Sequence, residues 1–185
     1  MGCMRENKSR DKGFRSTTRA WTIRHRFEPE DISRLVRLHG ILYAEEYGFD
    51  ETFERYVADG LAELETASIL GRNRIWLAER GDRMIGSIAI VARSEREAQL
   101  RWFLVDREFR GQGLGRELMK RALLFCREQG FERVFLWTTS ELVAARRVYM
   151  RFGFRKTEEK THTMWGKDVT EERYDLRLSD LPLPA

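Results

Sequence analysis

Three glycines within five residues, Gly111, Gly113 and Gly115, sit where an alternating apolar strand gives way to a helical repeat, and this passage constrains the fold more than any other segment. Ala98 to Val105 alternates with the period of a half-buried strand. Beyond the glycines, Leu118, Ala122, Leu123, Phe125 and Cys126 recur at helical spacing up to Gly130, and Val134 to Thr139 reads as a further strand. Strand, helix and strand at this spacing imply a right-handed crossover between parallel neighbours. The first backbone N–H groups of such a helix have no internal partners and lie at the positive end of its dipole, so they attract phosphate. Glycines let a ligand approach that backbone, and Arg110 and Arg116 add charge beside it. A nucleoside-triphosphate loop requires Gly-Lys-Ser/Thr where this sequence has Gly115-Arg116-Glu117. A dinucleotide fingerprint requires glycine at position 116, which is arginine. A ligand-free turn remains an open reading of the loop by itself.

The rest of the chain fits one α/β domain. Trp21 to Phe27 alternates as a first strand, and Glu28-Pro29-Glu30-Asp31 opens a helix carried by Ile32, Leu35, Val36, Leu38, Ile41 and Leu42. Gly48 ends it, and Asp50 or Thr52 caps a second helix with Phe53, Tyr56, Val57, Leu61 and Leu64. Arg74–Glu79 and Met84–Ala92 are strands joined by Arg80-Gly81-Asp82-Arg83, which is hairpin chemistry, and Ala98–Val105 completes an antiparallel meander. Leu142–Phe152 is a helix, and Phe154–Glu159 and Tyr174–Leu178 are the last strands, for about seven strands and four helices in a mixed, mostly antiparallel architecture.

With 185 residues, 42% hydrophobic and 35% charged, the chain suits one soluble domain over residues 20–180, and disorder would need a far less apolar composition. No apolar run approaches the ~20 residues of a membrane helix. The net charge of +4 resides in residues 1–20, where six Lys/Arg face Glu6 and Asp11, so residues 1–19 read as a flexible basic leader and residues 181–185 as a C-terminal tail. Basic excess confined to a tail argues against nucleic acid as a partner. Two cysteines, Cys3 and Cys126, provide no metal cluster and fit a reducing cytoplasm. The opening residues lack a secretion h-region and carry Glu6 where a myristoylation signal has Ser or Thr.

Arg110-Gly-Gln-Gly113-Leu-Gly115 resembles the pyrophosphate loop of the GNAT acetyltransferases, and Leu104-Val105 before it resembles that family's splayed strand. A second family element, Ala145, three residues, Tyr149, then Gly153-Phe154, follows in the right order. A narrower likeness, carried by His39-Gly-Ile-Leu-Tyr43, Glu46-Tyr47-Gly48, Leu136-Trp137-Thr138, Ala144-Ala145-Arg146-Arg147 and His162-Thr-Met-Trp-Gly166-Lys-Asp168, is to the acetyltransferase half of bacterial fusions with a MarR-type winged helix.

The resemblance implies a GNAT fold with a splayed pair of fourth and fifth strands and an N-acetyltransferase that moves the acetyl group of acetyl-CoA to a primary amine by direct attack, without metal. It implies that the N–H groups of Arg110, Gly111, Gln112, Gly113, Leu114, Gly115 and Arg116 take the pyrophosphate. Leu104 and Val105 would align the pantetheine arm, Val105 N–H would serve as an oxyanion donor, and Ala145, Arg146 and Tyr149 would border the cofactor. Tyr149 would be the general acid, since a phenol with reference pKa near ~10 is protonated at neutral pH. The family's strand glutamate has Gln99 at the nearest position, so the base is sought among His39, Glu46 and His162, with a water chain as the alternative. His162 between Thr161 and Thr163 is the favoured one, placed in a loop after a strand.

Glu45, Glu46, Asp50 and Glu51 hint at a cationic acceptor, a small molecule or a peptide. The five tryptophans read as sheet-to-helix filling, and Arg93, Arg96, Arg146 and Arg147 as solvated faces. The competing function is a non-catalytic acyl-CoA-binding regulatory module. The oligomeric state is left open by the sequence, a homodimer being frequent among the proteins it resembles.

Overall fold

The computed structural model describes residues 21–66 and 71–181. The expected basic leader over residues 1–19, with Cys3, and residues 182–185 of the tail lie outside the described residues. Seven strands form one sheet in the order β1-β2-β3-β4-β5-β7-β6: β1 Thr22–Arg24, β2 Arg74–Arg80, β3 Arg83–Ala92, β4 Glu97–Val105, β5 Arg133–Thr139, β6 Arg155–Met164 and β7 Lys167–Arg177. Helices α1 (Asp31–Tyr47), α2 (Glu51–Thr66), α3 (Leu114–Glu128) and α4 (Val143–Arg151) pack on the two faces. β4 and β5 are parallel across the α3 crossover and all other neighbours are antiparallel.

Burial on both faces explains the near-continuous apolar run of β3. Along β2, Ile75 and Leu77 enter the core under α1 and α2, while Trp76 and Ala78 enter the core under α3 and α4. Asp31, the first residue of α1, is fully buried, and Arg24 donates to both its carboxylate oxygens at 2.7 Å, which pins β1 to the helix. The Arg24 hydrogen bonds, a backbone N–H from Glu28 and the Arg24 and Arg34 charges outweigh burial and hold the Asp31 carboxyl below its ordinary range.

Element boundaries match the sequence pattern closely through β5 and α4. The first strand is shorter than its alternation suggested, and the terminal hairpin is much longer. β6 and β7 run 10 and 11 residues rather than the short strands expected, and His162 lies inside β6, paired with Val169, not in a loop. Charged residues fill both strands, so hydropathy gives little signal there. The hairpin turn holds Trp165 at φ 52°, and Asp50 N–H donates to Trp165 O at 3.1 Å, latching the hairpin tip to the start of α2.

Candidate active site

β4 and β5 pair only over Glu97–Gln99 with Arg133–Phe135, so the sheet opens beyond Gln99. On the other edge of β4, Ala89 faces Arg101 while Ser87 faces Leu104, which leaves an extra residue on β4. This bulge centres on Trp102, at φ 47°, whose carbonyl accepts from Ser87 Oγ at 2.6 Å. Its effect is to exchange the faces of the strand. Ala98 and Leu100 enter the α3 core before the bulge, and Phe103 and Val105 pack on it afterwards, while Trp102 enters the α1–α2 core.

Asp106 N–H donates to Ile85 O at 2.9 Å. Strand amides alternate in direction, so the N–H and C=O of Val105 turn away from β3 into the opening. The Val105 carbonyl there accepts from Arg110 Nε at 2.9 Å. The Leu104 carbonyl faces the other way; a Cβ on Gly86 would lie 2.9 Å from it.

The glycine loop follows. Asp106 accepts from the Glu108 N–H and starts a single 3-10 turn, Arg107–Phe109, after which Gly113 caps α3 at φ 90°. Glu117 N–H begins the helical ladder on Gly113 O at 3.0 Å, and among the described residues the N–H groups from Gly111 to Arg116 donate to no backbone carbonyl. A Cβ at Gly111 or Gly113 would meet nothing within 4 Å, so the loop faces open space, whereas one at Gly115 would lie 3.3 Å from the Phe103 ring. Gly115 thereby lets the first turn of α3 settle against the open strand.

A cleft of about 360 Å³ runs from this loop along the opening, walled by Leu104, Val105, Arg110, Gly111, Gly113, Gly115 and Arg116 on one side and Ala145, Val148 and Arg151 of α4 on the other. An inner cavity of about 100 Å³ lies where β4 and β5 part, with Tyr149 on its wall. Tyr43, Phe103 and Leu142 border both spaces. Among the described residues no group of three or more His, Cys, Asp or Glu is placed to hold a metal.

The sequence-selected residues divide between these spaces. Gln112 is turned back, its Nε2 donating to Glu108 O at 2.8 Å, and the Leu114 side chain is buried in the core. The Arg110 guanidinium makes a bidentate pair with Glu46, 2.6 and 2.8 Å, so both residues are engaged with each other. Arg146 lies 3.9 Å from Glu172 and is absent from the cleft wall. Tyr149 is buried against Phe103, 5.7 Å between ring centroids, and its desolvation holds the phenol pKa well above its ordinary value. His162 Nε2 is 3.0 Å from Glu171, which lines the inner cavity, but His162 is not on that wall. Cys126 is buried in the α3 core, where burial raises its thiol pKa.

His39 is fully enclosed. Its Nδ1 lies 2.9 Å from Leu35 O, and only as N–H can it make that bond, so Nε2 carries the lone pair. Nε2 is buried without a partner on the cavity wall, and burial lowers the imidazole pKa to about 4. Arg101 and Glu171 are wall residues to which the sequence assigned no role, and Tyr43 entered only through the family likeness. Tyr43 stacks on Phe53, 4.4 Å between centroids, at the junction of the two spaces. Three of the four acids read as a cationic-acceptor signal have other partners: Glu45 pairs with Arg107, Glu46 with Arg110, and Asp50 accepts the Thr52 N–H as the cap of α2.

A parted parallel pair with an amide-lined loop at its mouth defines an acyl-CoA-type transferase scaffold. Residues 37–154 match the sequence model of the acetyltransferase (GNAT) family, and the chain belongs to that family. Human N-acetyltransferase 8B is 31% identical over 99 residues, 51% of this chain and 44% of that protein. The chain spans about half the length of the curated relatives it matches. An acetyltransferase of Streptococcus agalactiae shares the fold with a TM-score of 0.70 at 23% identity, covering 86% of this chain and 99% of that one. Spermidine N-acetyltransferase of Vibrio cholerae, solved with CoA and spermine, gives 0.64 at 22%, covering 86% and 96%.

Proposed function

We propose that this chain is an acetyl-CoA-dependent N-acetyltransferase that acts on a primary amine of a small molecule or peptide. The observation that carries this reading is the meeting of an amide-lined cleft and a separate inner cavity at one gap in the sheet, so that two substrates reach each other only there. Acetyl-CoA supplies the activated acyl group. The free N–H groups of Gly111–Arg116 suit its diphosphate, with Arg116 and Arg151 beside it. Val105 N–H, turned into the opening, suits the thioester carbonyl oxygen.

Transfer forms a C–N bond and breaks a C–S bond, and the proton lost by the amine ends on the thiol. His39, neutral at physiological pH and on the cavity wall with a buried Nε2 that has no partner, is the group that orients the amine once that lone pair is uncovered. Of the three candidate bases it is the one on the cavity wall, whereas Glu46 is held by Arg110 and His162 stands behind Glu171. Tyr149 gives the proton to sulfur. Its raised pKa makes it a reluctant acid against a thiolate of reference pKa ~8.5, so it donates as it receives the amine proton and acts as a relay.

The finer likeness to the acetyltransferase half of MarR-type fusions, a single domain over residues 20–180, a cytoplasmic setting and a homodimer belong to the same reading. Support for the setting is the free Cys126. The test is calorimetric titration with CoA together with thiol release from acetyl-CoA across an amine panel. Binding with acceptor-dependent release is expected, whereas binding without release on any amine identifies the regulatory module instead.

A further inference from the structure

The inner cavity is walled by rings, including Tyr56, Trp102 and Trp165, and holds one cationic and one acidic side chain, Arg101 and Glu171. Their situations differ. Glu171 already has Lys160 at 3.6 Å and His162 at 3.0 Å. No carboxylate of the described residues lies within ion-pair distance of Arg101, whose contacts are the faces of Trp102, 4.4 Å from the ring centroid, and Tyr56, 5.8 Å.

Two features hold that guanidinium in place. The bulge at Trp102 puts Trp102 on the same side of β4 as Arg101, toward α2, which a regular strand forbids to consecutive residues. Gly60 sits in mid-helix, where glycine costs ~1 kcal/mol relative to alanine. A Cβ there would lie 2.7 Å from Arg101 Nη2, so the glycine makes room for the guanidinium. Such a site, with a planar cation stacked on aromatic rings and its N–H donors unclaimed by a carboxylate, is suited to a carboxylate, which guanidinium binds in bidentate fashion.

We infer that the acceptor is an amine that also carries a carboxylate, with Arg101 as the group that holds it. Arg101, His39 and Tyr149 line the same cavity, so a carboxylate held at Arg101 keeps the amine of an amino acid or short peptide within the space that Tyr149 and His39 border. This rests on the acetyl-transfer reading above. The volume of about 100 Å³ is smaller than the ~150 Å³ that admits benzene, so the cavity takes a small head group and leaves any larger part of the acceptor toward the mouth.

The experiment compares kcat/KM, corrected to the neutral-amine fraction of each substrate, for matched pairs, free α-amino acids and their more basic decarboxylated amines. The carboxylated member is expected to be favoured, and Arg101→Gln to lower the ratio between members by about tenfold, the worth of a charged hydrogen bond. Arg101→Lys should restore part of the ratio, and Gly60→Ala should lower it by displacing the guanidinium, with CoA affinity as the check that each variant is folded. Equal preference for both members, a ratio unmoved by Arg101→Gln, or CoA binding with no transfer to any carboxylated amine overturns the inference. Absence of CoA binding overturns the acetyl-transfer reading beneath it.

Discussion

The cleft carries the bare amides of Gly111–Arg116 at one end, whereas the cavity beside it is walled by rings, one buried imidazole, Arg101 and Glu171. In the first, the chemistry comes from loop amides left bare where Gly111 and Gly113 carry no side chain. In the second, Tyr149 and His39 are buried, and desolvation keeps Tyr149 protonated and His39 neutral. A polyanionic ligand suits the first because water can leave gradually as amides replace it. A neutral amine suits the second because a charged one would lose its hydration there. Putting the two side by side assigns the donor and the acceptor to different physical environments.

The largest effect that would break this contrast is at Tyr149. Tyr149→Phe is expected to lower kcat by ~10²–10⁴ while leaving CoA affinity unchanged in calorimetry, because the hydroxyl belongs to the cavity and not to the cleft. Unchanged turnover removes Tyr149 from the proton path. Next comes the enclosed imidazole. Since the folded pKa of about 4 lies below the unfolded ~6.5, the unfolded chain binds the extra proton, so stability is full above pH 6.5 and falls as pH drops toward 4. Urea unfolding at pH 7 and pH 5 should differ by about 2 kcal/mol from this group, and His39→Gln should remove that share.

A smaller effect belongs to the cleft. Gly113 at φ 90° is strained by any Cβ, and Gly113→Ala should weaken CoA binding about tenfold in calorimetry. An equal loss in acceptor KM would show that the two spaces are not separable. The smallest sharpens the role of Glu46. Glu46→Gln releases Arg110 toward the loop and should tighten CoA by less than about fivefold, the range of a partly exposed ion pair. Weaker binding would mean that the pair props the loop open.

Much of the fold was legible because its signals are local. The Arg80–Arg83 turn, the Gly48 stop, the Asp50 cap and the α3 crossover each follow from a few adjacent residues. The long β6–β7 hairpin was not, since strands as charged as Arg155–Met164 carry no hydrophobic period. Its extension moved His162 from an imagined loop into a strand and brought Trp165 to the cavity.

The sequence by itself determined the loop: glycines at a strand-to-helix turn give bare amides and an anion-seeking helix end, with Gly111 and Gly113 at positive φ, whereas the facing wall of the cleft comes from α4. Only the tertiary structure decided the cavity. Its wall draws on α1, α2, β4, β5, α4 and the β6–β7 hairpin, and it exists because a bulge at Trp102 and a parting of β4 from β5 place residues from 39 to 171 around one space. Backbone dihedral demands are settled between neighbours in the chain, while burial, a lone pair left without a partner and an arginine left without a counterion are properties of residues that meet only when the whole sheet is assembled.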